Sequence, residues 1–180
     1  SVQSLNELNQ YSRIESLNGV QYRVPKDAIY EGESKGTDHQ DIRYYKKGDI
    51  TFFISTDNVP KNPYAHELVI NGHYNFKTDL KLTFWDIYRY HPSASDYINY
   101  SVVWNNNIPG LSIHSYEPNK NDHILNFNSY DGIYSFTYTI FYPSFLSAEE
   151  VQKLRNLIEF FDSTNNPNFK MQEHVLFPEA

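Results

Sequence analysis

The 180-residue sequence predicts an α+β fold, an α/β/α sandwich with a central antiparallel sheet, and three observations carry that expectation. From Ile133 to Tyr142 the residues alternate, with Tyr134, Phe136, Tyr138, Ile140 and Tyr142 on one face and Ile133, Ser135, Thr137, Thr139 and Phe141 on the other, which is the period of a pleated strand. Ser147 and Glu150 then stand in capping-box spacing ahead of a helix, and Leu146 with Val151 fits a hydrophobic staple. In that helix Val151, Leu154, Leu157, Ile158 and Phe161 recur at three- and four-residue steps, so one face has to be buried against a flat surface such as a sheet. Finally, short apolar or alternating runs at Tyr97–Trp104, Leu111–Glu117, Ile124–Asn128 and Ile133–Tyr142 are separated by brief turns, the signature of an antiparallel meander.

Taken in order, residues 1–17 are polar, with Ser4 and Glu7 in capping-box spacing and Leu5, Leu8 and Tyr11 on one side. Both a short helix and a tether fit them. Asn18-Gly19 marks a turn, after which Val20, Tyr22 and Val24 alternate until Pro25. Ala28–Tyr30 is short and apolar, and the Gly- and charge-rich Glu31–Asp41 reads as a solvent-exposed loop. Ile42–Lys46 and Ile50–Ser55 flank a Lys47-Gly48-Asp49 turn and predict a hairpin. Asp57–Tyr64 carries two prolines and two asparagines and reads as a loop. The trio Leu68, Val69 and Ile70 fits a strand or a helix end. In Thr78–Tyr90 a helical stripe (Leu80, Phe84, Ile87, Tyr88, His91) competes with alternation (Leu82, Phe84, Tyr88, Tyr90), and length favours the helix. The expected division is an N-terminal tether or short helix over 1–17, one domain over 18–163, and a tail over 164–180 whose Val175, Leu176 and Phe177 seek either their own domain or a partner.

A formal charge of -7 disfavours phosphate backbones, so nucleic acid is not an expected partner. The absence of cysteine removes disulfides, thiolate metal sites and cysteine nucleophiles. No apolar run reaches the roughly 20 residues of a membrane span, so membrane attachment is expected only through an N-terminal anchor outside this sequence. The cysteine-free, Asn-, Tyr- and Lys-using composition suits an extracytoplasmic protein, secreted or lipid-anchored at a bacterial surface.

A strand ends in Tyr22-Arg23-Val24-Pro25, a later one is introduced by Ile108-Pro109-Gly110, and Gly132-Ile133-Tyr134 opens the strand before the closing helix. These signals resemble those of the Mog1/PsbP-like family, which includes photosynthetic oxygen-evolving PsbP proteins, a Ran-binding protein and many bacterial surface lipoproteins. The likeness spans Asn18–Ser163. Two departures are the Pro-containing link before that helix and the missing tryptophan after Val-Pro, where Ala28-Ile29-Tyr30 stands instead. The resemblance implies an α/β/α sandwich used as a binding or adaptor module, with no shared catalytic residues and no cofactor.

Among candidate chemistry, His66-Glu67 begins like a zincin motif, but Ile70 occupies the place of the second histidine. His114 and His123 fall on neighbouring strands and are expected to meet, although two histidines make a poor metal site. Ser112 and His114 would need a carboxylate to form a triad, and Asp38, Asp41, Asp49 and Asp57 read either as a cation site or as a wet acidic loop. No metal is expected. Trp85, Tyr88, Tyr90, Tyr97, Tyr100 and Trp104 crowd a short span, and such rings either fill a core, the commoner fate, or form a recognition surface. Trp85, Tyr88, Tyr97, Trp104 and His114 are therefore the candidate binding residues. The expected function is non-enzymatic recognition of a protein or cell-envelope component. The alternative is a small hydrolase or carbohydrate-binding domain with an aromatic-lined cleft.

Overall fold

A computed structural model describes residues 5–65, 69–70, 73–94, 98–105 and 108–169. In chain order the elements are α1 (Leu5–Tyr11), β1 (Ser12–Leu17), β2 (Val20–Pro25), β3 (Ile29–Thr37), β4 (Gln40–Lys47), β5 (Ile50–Asn58), β6 (Val69–Ile70) and β7 (His73–Tyr74). They continue with α2 (Phe76–Tyr90), β8 (Ile98–Asn105), β9 (Ile108–Glu117), β10 (Asp122–Tyr130), β11 (Tyr134–Pro143), α3 (Ala148–Ile158) and β12 (Asp162–Ser163).

Seven strands form the main sheet in the order β3-β4-β5-β11-β10-β9-β8, every neighbouring pair antiparallel. The expected meander from β8 to β11 is present, and β11 zips onto β5 so that Phe136 faces Thr56, Tyr138 faces Ile54 and Ile140 faces Phe52. Alternation then divides the sheet. Phe52, Ile54, Leu125, Phe127, Phe136, Tyr138 and Ile140 are wholly buried on one face. The other face presents Ser55, Thr137, Thr139, Asn126 and Asn128, with Phe53 and Phe141 half-buried among them.

The apolar face is covered by α3 and by a small sheet in the order β1-β2-β12. The capping box at Ser147 and Glu150 forms in both directions, and Leu154, Leu157, Ile158 and Phe161 press into the same core as Val20, Tyr22 and Val24. Tyrosine hydroxyls bolt the layers together: Tyr138 donates to the Arg23 carbonyl at 2.7 Å, and Tyr22 and Tyr45 share a hydrogen bond of 2.7 Å. Across the sheet, α2 packs Ile87, with half-buried Leu80 and Phe84, against Leu111, Ile113 and Tyr130. The layering is α/β/α, with part of one outer layer supplied by strands.

Three segments differ from the sequence-based expectation. Ser12–Leu17 is a strand paired with β2, invisible to periodicity because Ile14 points outward and Ser12 inward. Glu31–Thr37, expected as loop, belongs to edge strand β3, where Glu31, Glu33 and Lys35 guard a nearly fully exposed ribbon that buries no alternating apolar set. Asp57 and Asn58 extend β5 before a single 3-10 turn at Val59–Lys61, capped by the Asn58 side chain. The tail is docked as far as Phe169, whose ring meets Tyr130 edge-on at 5.4 Å. Val175–Phe177 and His66–Leu68 lie outside the described residues.

Two glycines are demanded by geometry. Gly110 lies beneath the Phe127 ring, where a Cβ would come within 2.2 Å of ring carbons. Gly132 has φ of 96°, in the left-handed region that side chains disfavour, and its position faces Phe169 and Asn166 closely.

Candidate functional site

Helix α2 begins at Asn75, whose side chain accepts from the Thr78 amide at 3.1 Å, and ends where His91 donates its amide to the Ile87 carbonyl. Its inward stripe is short, so most of its circumference stays wet. Tyr88, expected in the buried stripe, instead points outward. Lys77, Lys81, Trp85 and Arg89 follow one another at four-residue steps, with Tyr88 three residues after Trp85, and all five are exposed, Trp85 at 61% and Tyr88 at 60%. The two rings lie 6.4 Å apart at 32°. Arg89 also sits over the Tyr90 ring at 5.3 Å. Among the described residues no carboxylate pairs with Lys77, Lys81 or Arg89. A basic, aromatic stripe thus stands on a molecule whose overall charge is -7.

The other expected site residues do not join it. Tyr97 lies outside the described residues, and Trp104 is placed only by its backbone, paired with Pro109 in β8. His114 is on the opposite face of the sheet, beneath α3. There it meets His123 as its strand position foretold: His114 Nε2 and His123 Nδ1 are 2.9 Å apart, and Tyr142 Oη lies 3.3 Å from the same His114 nitrogen. Arg155 donates to His114 Nδ1 at 3.2 Å, so this nitrogen is the acceptor and Nε2 carries the proton toward His123. The histidines bond to one another instead of converging on a shared point, and the group that orients His114 is a cation where a triad needs a carboxylate. This removes the Ser112–His114 triad.

Burial, then the Arg155 cation and His123, push the His114 imidazole down to about 4. The His123 imidazole is lowered too, chiefly by burial and then by Arg155. The unfolded chain takes up these protons near pH ~6.5, the folded protein at lower pH, His114 only near pH 4. Stability is therefore full above pH ~6.5 and falls as the pH drops towards 4, because the unfolded state binds more protons in that window. In urea titrations at pH 7 and pH 4.5, His114→Gln is expected to lose about 2 kcal/mol less on acidification than the wild type, a value already reduced for partial solvent screening. Equal losses in both proteins would remove His114 as the acid-sensitive group.

The acidic loop residues also separate. Asp57 accepts from His39 at 2.7 Å and from Asn62 at 2.8 Å, while Asp41 accepts from Asn18 at 2.7 Å. Among the described residues no three His, Asp or Glu side chains are grouped to hold a metal ion. None of the described helices is long and apolar enough to cross a membrane.

No protein-family model and no curated protein matches the chain. Among solved structures it is similar to the solution structure of cyanobacterial PsbP (CyanoP) from Synechocystis sp. PCC 6803, at a TM-score of 0.57 and 10% sequence identity. The match covers 85% of this chain and 92% of that one. The fold is PsbP-like, as the turn and strand signals implied.

Proposed function

We propose that this PsbP-like chain is a non-enzymatic binding or adaptor domain that recognises an acidic surface on a protein partner through the outward face of α2. The observation that carries this is the run Lys77, Lys81, Trp85, Tyr88 and Arg89, exposed along one side of the helix. Tryptophan, tyrosine and arginine dominate the binding energy of protein interfaces, and here they are contiguous on one surface, as at interaction sites. Three cations beside them on an acidic protein supply the complementarity that selects an acidic partner. The extracytoplasmic setting belongs to the same proposal and rests on the Asn-, Tyr- and Lys-using composition together with the lack of cysteine.

The test is cross-linked capture from the native host with wild type, Trp85→Ala/Tyr88→Ala and Lys77→Glu/Lys81→Glu. Both variants should keep the wild-type melting temperature, because all four side chains are exposed. For a captured protein, the aromatic pair is expected to weaken affinity at least about 30-fold, the scale of a lost hot spot. Charge reversal should weaken it further at low salt. An unchanged set of captured proteins would overturn the reading, as would loss of capture accompanied by tight binding to anionic phospholipid vesicles.

A further inference from the structure

On the flank of α2 turned towards the sheet lies a cleft of about 420 Å³. That is within the range of about 300–1,000 Å³ typical of small-molecule sites. A second hollow of about 350 Å³ continues it, the two sharing His91, Ile124 and Phe141. The floor is the polar face of the sheet, where an amide ladder runs across two strands. Thr137 donates to Asn128 at 2.9 Å, Asn128 donates to Asn126, and Asn126 donates to Thr139 at 2.8 Å. Gln40 donates to Ser55 at 3.1 Å on the next strand.

This arrangement leaves defined groups for a ligand. Ser55 and Thr139 accept from amides, so their own hydroxyl hydrogens remain available to donate. Ser115 lines the cleft at 1% exposure, and its hydroxyl has no hydrogen-bond partner among the described residues. The buried Nδ1 of His91 is likewise unpartnered, and burial keeps that ring neutral near pH 7 by pushing its pKa down. A buried polar atom without a partner costs free energy, which a ligand hydroxyl would return. Among the described residues Asp79 and Asp86 are the charged groups lining the first hollow, which has no lysine or arginine, while Glu117, Lys120 and Asp122 line the second. Phe141 supplies an apolar platform, with His91 at 6.0 Å and Phe53 edge-on at 5.5 Å, while Tyr90 stands at the mouth.

We infer that this cleft between α2 and the sheet binds a neutral, polyhydroxylated ligand of mono- to disaccharide size. Hydroxyl donors beside the Asp86 carboxylate and the His91 imidazole match sugar hydroxyls, which both give and receive hydrogen bonds, and an aromatic platform matches the apolar face of a pyranose ring. The carboxylates repel anions. A simple cation would leave the hydroxyl donors unused.

The experiment is a ¹H–¹⁵N NMR titration of the whole chain with cellobiose, lactose and chitobiose, and separately with spermidine and glucuronate. The side-chain amides of Gln40, Asn126 and Asn128 are direct reporters. At least one neutral sugar is expected to shift them saturably, with glucuronate and spermidine silent. Asp86→Ala, on the exposed rim, and Thr139→Val should each weaken that sugar about tenfold, the worth of one lost hydrogen bond. Trp85→Ala/Tyr88→Ala should leave it unchanged, so this site and the proposed protein-binding stripe stand or fall separately. Shifts with spermidine alone, no response to any sugar, or responses that Asp86→Ala and Thr139→Val do not alter would each overturn the assignment.

Discussion

Asp131→Ala is expected to destabilise the protein by about 3 to 4 kcal/mol, among the largest effects of any polar substitution in the chain. The carboxylate is 1% exposed and accepts four hydrogen bonds. Oδ1 holds the amides of Ile133 at 2.8 Å and Tyr134 at 2.6 Å, which fixes the turn at Gly132 and the first residue of β11. Oδ2 accepts from Ser163 Oγ at 2.5 Å and Asn165 Nδ2 at 3.0 Å, which pins the segment following α3 beside that turn. Alanine would leave buried donors unpaired at both places. Asp131→Asn, which keeps one carbonyl acceptor, is expected to lose roughly half as much. Urea unfolding of the two variants measures this directly, and a loss under about 1 kcal/mol for alanine would show that water takes over the donors.

A comparable loss is expected on β11 at Ile140→Ala, about 3 to 4 kcal/mol from lost burial plus the cavity left behind. Ile140 is wholly buried, paired with Leu125 on one side and Phe52 on the other, and shares its core with α3 and the small sheet. A hole there lies among β10, β5 and the layer above, so no single side chain can close it. Thermal melts should show the deficit without any change in the strand signal of the folded state.

How much of this was legible in the sequence follows from which residues bury a patterned face. Phe136, Tyr138 and Ile140 alternate because they are buried, and the Ser147–Glu150 box is a local signal that needs no tertiary help, so β11, α3 and their contact could be read directly. The β8–β11 meander was readable for the same reason. Strand β3 could not be recognised, since an exposed edge has no apolar alternation to display, and β1 was hidden by Ile14 facing outward. Among the described side chains of α2 the inward apolar stripe is buried Ile87 with half-buried Leu80 and Phe84, which alternation mimics over so short a span. That weak stripe was itself a clue to a helix left largely wet, with Trp85 and Tyr88 outside.

The candidate site was less legible. Trp85 and Tyr88 do share a surface, but His114 was grouped with them by proximity in sequence, and the alternation of β9 sends it through the sheet to α3. The cleft residues were missed because polar groups at Ser55, Ser115, Asn126 and Thr139 come from four strands and carry no motif. One sign was present: the strand Ile133–Tyr142 pairs an apolar face with one bearing Thr137 and Thr139, so one side of the sheet was destined to remain polar.

The division of one sheet into a face that folds and a face that binds is tested most directly by comparing neighbours on β11 in the same thermal melts. Thr139→Val removes a hydroxyl that accepts from Asn126 at 2.8 Å on the open face, where water can replace it, and is expected to change stability by less than about 1 kcal/mol. Ile140→Ala, one residue further and facing the other way, should lose several times as much. Matching losses at the two positions would contradict the division, because the polar face would then be holding the fold together.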